Sequence, residues 1–387
     1  MSPTWSIPPH RNPDSAPVWI DSPQALADLA RRLCYEPVIA MDTESNSLHA
    51  YSEKVCLIQF SVPGADYLVD PLALPDLSPL ATILADPTRE KVFHAAEYDV
   101  MVLKRDYQFE FAHLFDTMIA SRLLGWPRCG LGNILDERFG VLQDKRMQRR
   151  DWAQRPLSAD EMEYARLDTH FLLPLRQILL TDLEQAGLLA EAREMFQEVT
   201  TAVWQGGDFD PDGFWRIRGA RELDPTGLAV LRALYFFRDR EARRRDRPPF
   251  KVIADATLLQ LAMDRPKNWR EMENIRGMTP YLLRRYGKCL HQVIDTGSRD
   301  DPPSPPQNHH HWPERPVIER YERLRAWRNA HAARHGVEPD VIVSNAVLMA
   351  LARHRPQKLQ EIQELGLMGP VKCAKYGGAL LKVMWQG

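Results

Sequence analysis

An α/β domain followed by an all-α region is what this 387-residue chain predicts. Three observations carry that expectation. Short apolar runs alternate with amphipathic segments through the first half, the signature of a sheet with helices packed on its faces. Helical spacing alone fills the second half. There one set of residues recurs at an offset of 90, as in Pro266 and Pro356 or Tyr286 and Tyr376, so two copies of one helical module are expected.

Taken in order, residues 1–17 hold five prolines and no apolar core. They read as a disordered leader, not as a signal peptide. Asp21 to Arg32 has helical spacing and leads into a strand over Val38–Met41. Val55–Ser61 is a second strand, Pro63–Asp66 a turn, and Tyr67–Val69 a third strand, so a meander opens the domain. Ser78-Pro79 supplies N-cap and first helical position for a helix through Leu84. Lys91–Phe93 is a fourth strand, followed by a helix to about Tyr107 that carries Asp99. Further helices are expected over Asp116–Leu124 and Leu131–Phe139. Ser158-Ala-Asp-Glu161 is a capping box. It opens a helix through Tyr164 and Asp168 that bends at Pro174 and stops near Gly187.

The first helical module contains Phe237-Arg238, Val252-Ile253, Pro266, Met278 and Tyr286-Gly287. The second contains Trp327-Arg328, Val341-Ile342, Pro356, Met368 and Tyr376-Gly377. The offset slips by one around Val252. Between them runs a stiff Pro-rich linker. Its three adjacent histidines, His309 to His311, lack the convergence of ligands drawn from separate elements. The expected division is a leader over 1–17, an α/β domain over 18–210, one module over 211–297, a linker over 298–316, and the other module over 317–387.

No apolar run reaches the roughly 18–20 residues of a membrane span. The five cysteines are scattered and odd in number, which argues against a disulfide framework and suits a reducing cytoplasm. The net charge of −2 hides a split: residues 1–210 hold 19 Lys+Arg against 32 Asp+Glu, and residues 211–387 hold 31 against 20. An acidic front beside a basic rear fits a nucleic-acid enzyme, although opposite charges also let two domains attract each other.

The acids carry the chemistry. Asp42 and Glu44, two apart at the end of a strand, point to one face. Carboxylates that close raise each other's pKa unless a cation neutralises them, and Mg²⁺ favours a few carboxylate oxygens with positions left for phosphate and water. With Asp99 and Asp168 they make the four acids that a two-metal phosphodiester site requires. Tyr164, four residues before Asp168, shares its helical face and is placed to hold a nucleophilic water. A plain polar strand end and a plain buried aromatic are the alternatives for Asp42/Glu44 and Tyr164.

Asp42-Thr-Glu44, His94-Ala-Ala-Glu-Tyr-Asp99 and Tyr164-Ala-Arg-Leu-Asp168 resemble the three motifs of the DEDD 3′–5′ exonucleases. Tyr four residues before the last Asp is the pattern of the Tyr branch. Nearly everything after residue 18 resembles the bacterial ribonuclease D family, for which Asp151-Trp-Ala-Gln-Arg-Pro-Leu157 is also characteristic. The two repeats look like HRDC domains, which are helical nucleic-acid-binding modules. The resemblance implies an RNase H-like (DnaQ-type) fold in which Asp42, Glu44, Asp99 and Asp168 bind two Mg²⁺ or Mn²⁺ ions. It implies that Tyr164 positions the attacking water and that nucleoside 5′-monophosphates are released from RNA 3′ ends, including those of tRNA precursors. A cytoplasmic, non-membrane, monomeric exoribonuclease is the resulting expectation. A DNA exonuclease and a silent RNA-binding scaffold are the alternatives.

Secondary candidates follow. Ser45 to His49 stand where many members have Phe and a nearby Arg, so the grip on the terminal nucleotide does not carry over. Lys145, with Arg146, Arg149 and Arg150, is placed to meet phosphates. Trp152 and Arg155 either clamp the 3′ end or pack their loop against the sheet. Asp116 is expected to cap its helix, and His94 to be structural. Arg243 and Arg244 head the densest basic run, a sequence-neutral phosphate contact.

Overall fold

The computed structural model describes residues 16–204, 206, 209–305 and 314–385. The expected leader lies almost wholly outside the described residues, and so do His309, His310 and His311. Two compact units divide the chain. Residues 1–45, 55–204 and 310–387 form the first, and residues 46–54 and 205–309 form the second.

The first unit is built on a six-stranded sheet. β1 (Val18–Ile20), β2 (Val38–Ser45), β3 (Val55–Val62), β4 (Ala65–Val69), β5 (Glu90–Phe93) and β6 (Leu114–Asp116) stand in the order β1-β4-β3-β2-β5-β6. The expected meander is β2-β3-β4, antiparallel throughout. β1 joins it in parallel on one side, and β5 then β6 on the other. β1 and β6 have no counterpart in the sequence reading. Each is three residues long, less than two full alternations, and so too short to show a period.

Helices α1 (Pro23–Leu33), α2 (Ala81–Leu84), α3 (Glu97–Tyr107), α4 (Thr117–Leu123), α5 (Leu131–Phe139), α6 (Ala159–His170), α7 (Leu172–Gln185) and α8 (Leu189–Thr200) surround the sheet. α6 begins with both halves of the expected capping box: Ser158 Oγ accepts from Glu161 N, and Glu161 Oε2 accepts from Ser158 N at 2.6 Å. The helix expected to bend at Pro174 breaks at Phe171 instead. Proline clashes with the carbonyl four residues back, so the break falls ahead of it. Pro174 then occupies the first turn of α7, where its missing N–H costs nothing.

One face of the sheet is covered by α6, which is fastened through Asp66 on β4. Arg166 Nη1 donates to Asp66 at 3.1 Å, Ser61 Oγ donates to it at 2.5 Å, and His170 Nδ1 lies 2.8 Å from it. Ser61 also meets Thr169 at 2.7 Å. Burial works against the Asp66 charge, but His170, Ser61 and Arg166 outweigh it and hold the carboxyl below its ordinary range.

The modules comprise α9 (Pro225–Arg244), α10 (Pro249–Val252), α11 (Asp255–Asp264), α12 (Trp269–Glu273) and α13 (Pro280–Gly297), then α14 (Arg315–His335), α15 (Pro339–Ile342), α16 (Asn345–His354), α17 (Leu359–Glu364) and α18 (Pro370–Met384). Each has its own apolar core. Buried Arg238 donates to Ile253 O at 3.1 Å and to Asp255 at 2.5 Å. Arg328 donates to Val343 O and Asn345, both at 2.9 Å. All three positions are 90 apart, as are α10 and α15. The slip expected around Val252 is therefore absent, and Ile253 corresponds to Val343, not to Ile342.

Within the first unit the second module docks on α8. Glu194 accepts from the α18 backbone amides of Val371 at 2.6 Å and Lys372 at 3.0 Å. A Cβ on Gly369 would lie 2.1 Å from the Glu194 carboxyl carbon, so glycine permits that approach. Glu191 accepts from Tyr376 Oη at 2.9 Å and pairs with Lys375. Arg122 on α4 forks to Asp340 at 2.7 and 2.8 Å and also reaches Glu338. Among the described residues no helix is long and apolar enough to cross a membrane.

Asp66→Ala removes the buried acceptor shared by Arg166, His170 and Ser61 and leaves Arg166 paired with Glu163 alone. It is expected to lower unfolding free energy by about 3–5 kcal/mol, the usual cost of breaking a buried pair from one side, as read from urea denaturation.

Candidate active site

Four carboxylates from three separate elements are gathered at one end of the sheet. Asp42 and Glu44 project from the end of β2. Asp99 comes from the first turn of α3, where helix N–H groups favour negative charge. Asp168 comes from α6, which crosses the face of the sheet that Asp42 and Glu44 share. Asp99 and Asp168 are each 6% exposed, while Asp42 and Glu44 are partly open to solvent.

Burial and mutual repulsion dominate their electrostatics. Burial pushes Asp42 well above its ordinary range, and Asp99, Asp168 and Glu44 push it further. Glu44 is raised by burial, then by Asp168 and Asp99. Asp99 stands at about 7, raised by burial and by Asp116 while the Thr43 hydroxyl pulls it down. Asp168 also stands at about 7, raised by burial and by Asp99 and lowered by Gln143.

Neutral donors hold two of the acids. Thr43 Oγ1 donates to Asp99 at 2.5 Å and Gln143 Nε2 donates to Asp168 at 2.7 Å. Neither donor figures in the sequence reading. Thr43 lies inside the first motif, where a hydroxyl between two acids is a usable signal. Gln143 sits in an irregular loop with no pattern to mark it.

Tyr164 is 8% exposed and packs against Trp152, with ring centroids 6.0 Å apart. Burial, then Asp168, Glu44 and Asp42, raise its phenol while a hydrogen bond with Gln148 pulls the other way. The hydroxyl is therefore neutral and remains a hydrogen-bond donor. Asp116 does more than cap α4: its carboxylate accepts from Met118 N and Ile119 N, and also from Ala95 N and Ala96 N at 3.1 and 2.8 Å. It thereby fixes the turn that aims Asp99. His94 is structural in this arrangement. Its Nδ1 meets Thr117 Oγ1 at 2.9 Å, and burial lowers its pKa.

Trp152 and Arg155 do not meet at a substrate position. Trp152 is 1% exposed within a buried layer that includes Leu57, Leu68 and Tyr164. Arg155 donates twice to Asp70 at 2.7 Å and again to Cys56 O and Trp152 O. Of the two sequence alternatives for this loop, packing against the sheet is the one present, because the planar guanidinium has its donors taken up. Lys145 is exposed on the loop before α6. In the second unit, Arg243 bonds Tyr51 Oη at 2.8 Å and Asp239 at 2.9 Å, and Arg244 pairs with Glu241 at 2.7 Å.

The donor set suits a hard divalent cation: four carboxyl groups, all oxygen donors, each raised by burial and by a neighbouring acid. It is not a closed cage. Among the described residues no three His, Cys, Asp or Glu side chains surround a single ion position. None of the four acids lines the cavity of about 510 Å³ that Tyr98, Asp116, Met195, Val343 and Lys372 help to form. Gathered around the end of a central strand, the four acids would be the protein's share of a divalent-cation site whose remaining ligands are water and phosphate.

A family model described as 3′–5′ exonuclease matches residues 17–184, and the HRDC domain matches residues 227–294 and 318–384. Ribonuclease D of Pseudomonas paraeruginosa is 30% identical over 359 residues, covering 89% of this chain and 92% of that protein. The exosome complex exonuclease RRP6 of Saccharomyces cerevisiae is 31% identical over 309 residues, which is 76% of this chain and 42% of RRP6. The chain thus spans less than half of that relative. The crystal structure of Escherichia coli RNase D, titled an exoribonuclease involved in structured RNA processing, aligns with a TM-score of 0.65 at 26% identity over 95% of this chain and 98% of that one. Divalent-metal dependence runs through this exonuclease family. An acid quartet on a mixed sheet, a Tyr four residues before the last Asp, and two helical modules behind them have one common owner, and the chain belongs to the ribonuclease D family of 3′–5′ exonucleases.

Proposed function

We propose that this protein is a 3′–5′ exoribonuclease that removes nucleoside 5′-monophosphates from RNA 3′ ends, tRNA precursors among them. The observation that carries the reading is the gathering of Asp42, Glu44, Asp99 and Asp168 beside Tyr164, from three segments of the chain far apart in sequence. Asp42, Glu44, Asp99 and Asp168 would hold two divalent cations, Mg²⁺ or Mn²⁺. When bound, such ions stabilise the attacking and leaving oxygens of an in-line displacement.

The chain's own residues supply orientation. Thr43 and Gln143 fix the Asp99 and Asp168 carboxyls, and Asp116 fixes the turn that presents Asp99. Tyr164 keeps its proton and directs the water toward the 3′-terminal phosphodiester through its hydroxyl. Lys145, exposed before α6, meets a substrate phosphate, as do Arg243 and Arg244 when an incoming polyanion outcompetes Asp239 and Glu241. The charge of residues 211–387, 31 basic against 20 acidic, supports a polyanion partner. A monomer in the cytoplasm is the expected setting, and the five cysteines, none in a disulfide among the described residues, suit a reducing compartment. The domain limits are taken as 18–210, 211–297 and 317–387.

Asp99→Asn is expected to lower hydrolysis of a 3′-labelled RNA by at least a hundredfold with Mg²⁺, while filter binding of that RNA stays within a fewfold. Unchanged hydrolysis would remove Asp99 from the site. A matched DNA oligonucleotide in the same assay decides between RNA and DNA, since only contacts to the 2′-hydroxyl separate them.

Without metal, pH has a definite sign. Asp99 and Asp168, near 7 when folded and near 3.8 in model compounds, bind protons more tightly in the native state. Their contribution is fully present below pH 4 and is lost as pH rises through 7. In EDTA, Asp99→Asn is therefore expected to match wild type at pH 4 and to be more stable at pH 8, by a few kcal/mol at most. Wild type should gain thermal stability with Mn²⁺ more strongly at pH 8 than at pH 5.5. Calorimetric scans at these pH values check both expectations.

A further inference from the structure

Gln59, in the middle of β3, is fully buried, and neither its Nε2 nor its Oε1 has a hydrogen-bond partner. A buried amide without partners is costly, and such groups persist where something else requires them. Apolar residues stand on both sides of it along the strand, Ile58 and Phe60, and opposite it on β4 stands Leu68. A leucine would fill the same space at no such cost.

The sheet register shows what the amide faces. Gln59 is the cross-strand partner of Asp42, as Leu57 is of Glu44 and Ser61 of Ala40. Cross-strand partners lie on one face with Cβ atoms about 4.5–5.5 Å apart, well within reach of a glutamine side chain. That face is roofed by α6: Ser61 meets Thr169 and Leu57 packs with Tyr164 and Ala165. Gln59 is therefore enclosed between Asp42 and the helix that carries Asp168. Asp99 and Asp168 each have a neutral side-chain donor in Thr43 and Gln143. No side chain bonds Asp42 among the described residues, and Gln59 is the unused donor next to it.

We propose that Gln59 is a positioning residue for the metal site, its Nε2–H donating to the Asp42 carboxylate when a divalent cation is bound. The inference rests on the exonuclease reading and extends it, naming the partner of the one aspartate of the quartet that lacks a side-chain donor. Its rival is a purely structural role, in which Gln59 serves the other unpartnered group of this buried layer, the Trp152 indole N–H.

The test uses the full chain with Gln59→Leu and the longer-chained Gln59→Met, read by Mn²⁺ titration calorimetry and by thermal unfolding in EDTA. Both variants are expected to be at least as stable as wild type in EDTA, since an unsatisfied amide is removed, and to bind Mn²⁺ about tenfold or more weakly. In an Asp42→Ala background the Gln59 substitutions should change Mn²⁺ affinity no further. Folded variants with wild-type Mn²⁺ affinity would overturn the proposal. So would loss of stability in EDTA as the sole effect, or failure of both variants to fold, because either marks Gln59 as structural. Wild type that neither binds Mn²⁺ nor shortens RNA would instead sink the exonuclease reading on which the proposal stands.

Discussion

Four carboxylates forced together in a partly dry corner set the terms for everything around them. At such separations each repels the others, and burial adds to the cost of every charge. A protein can lower that cost by protonating the acids, by supplying a lysine or arginine, or by recruiting a cation. Here the strongest influences on each acid are burial, the other acids and neutral donors. Thr43 and Gln143 orient carboxylates without neutralising them. That choice leaves the carboxyl oxygens open to a divalent ion, whose place an arginine would take.

The rest of the first unit keeps this corner from relaxing. Repulsion would drive α6 and α3 away from β2 if they were held only by apolar contact. α6 is instead fastened by Asp66, Arg166, His170, Ser61 and Thr169. Asp116 pins the turn before α3 through the Ala95 and Ala96 amides while it caps α4 through those of Met118 and Ile119. Apart from the Ser61–Thr169 contact these bonds are charge-assisted, the stronger class of hydrogen bond. Trp152 and Arg155 belong to the same framework, since they lock the loop that enters α6 onto β3 and β4. Their residue types look like a nucleotide clamp, yet their contacts are those of a scaffold.

Much of this was legible before any coordinates. The acids, the capping box of α6, the β2-β3-β4 meander and the duplicated module all carry a period, a spacing or a motif. The features that were not legible share a physical cause. β1 and β6 are too short to have a period. Gln143 and Gln59 are neutral amides whose role exists only once the chain is folded, so no spacing announces them. The choice between clamp and scaffold for Arg155 turns on whether Asp70, 85 residues away, lies within reach, and nothing local encodes that.

The two modules show how one sequence pattern reaches two ends. Both keep the buried Arg238/Arg328 bridge at an offset of 90, so both have the same core geometry. They part at the start of the last helix. In the first module Thr279 accepts from Leu282 N and caps α13 from within the chain. In the second, the equivalent position is Gly369, which has no side chain to offer, and Glu194 of α8 takes the amides of Val371 and Lys372. An uncapped helix N-terminus receives anions, and here the anion is a carboxylate of the same unit. Arg245 of the first module is bonded to the hydroxyls of Tyr281 and Tyr286, whereas Tyr376 of the second is bonded to Glu191. The second module, with a net charge of +4 over residues 298–387 against +7 over residues 211–297, thus has its anion-receiving helix end filled by the exonuclease domain. That physical difference makes the second module a brace within the first unit.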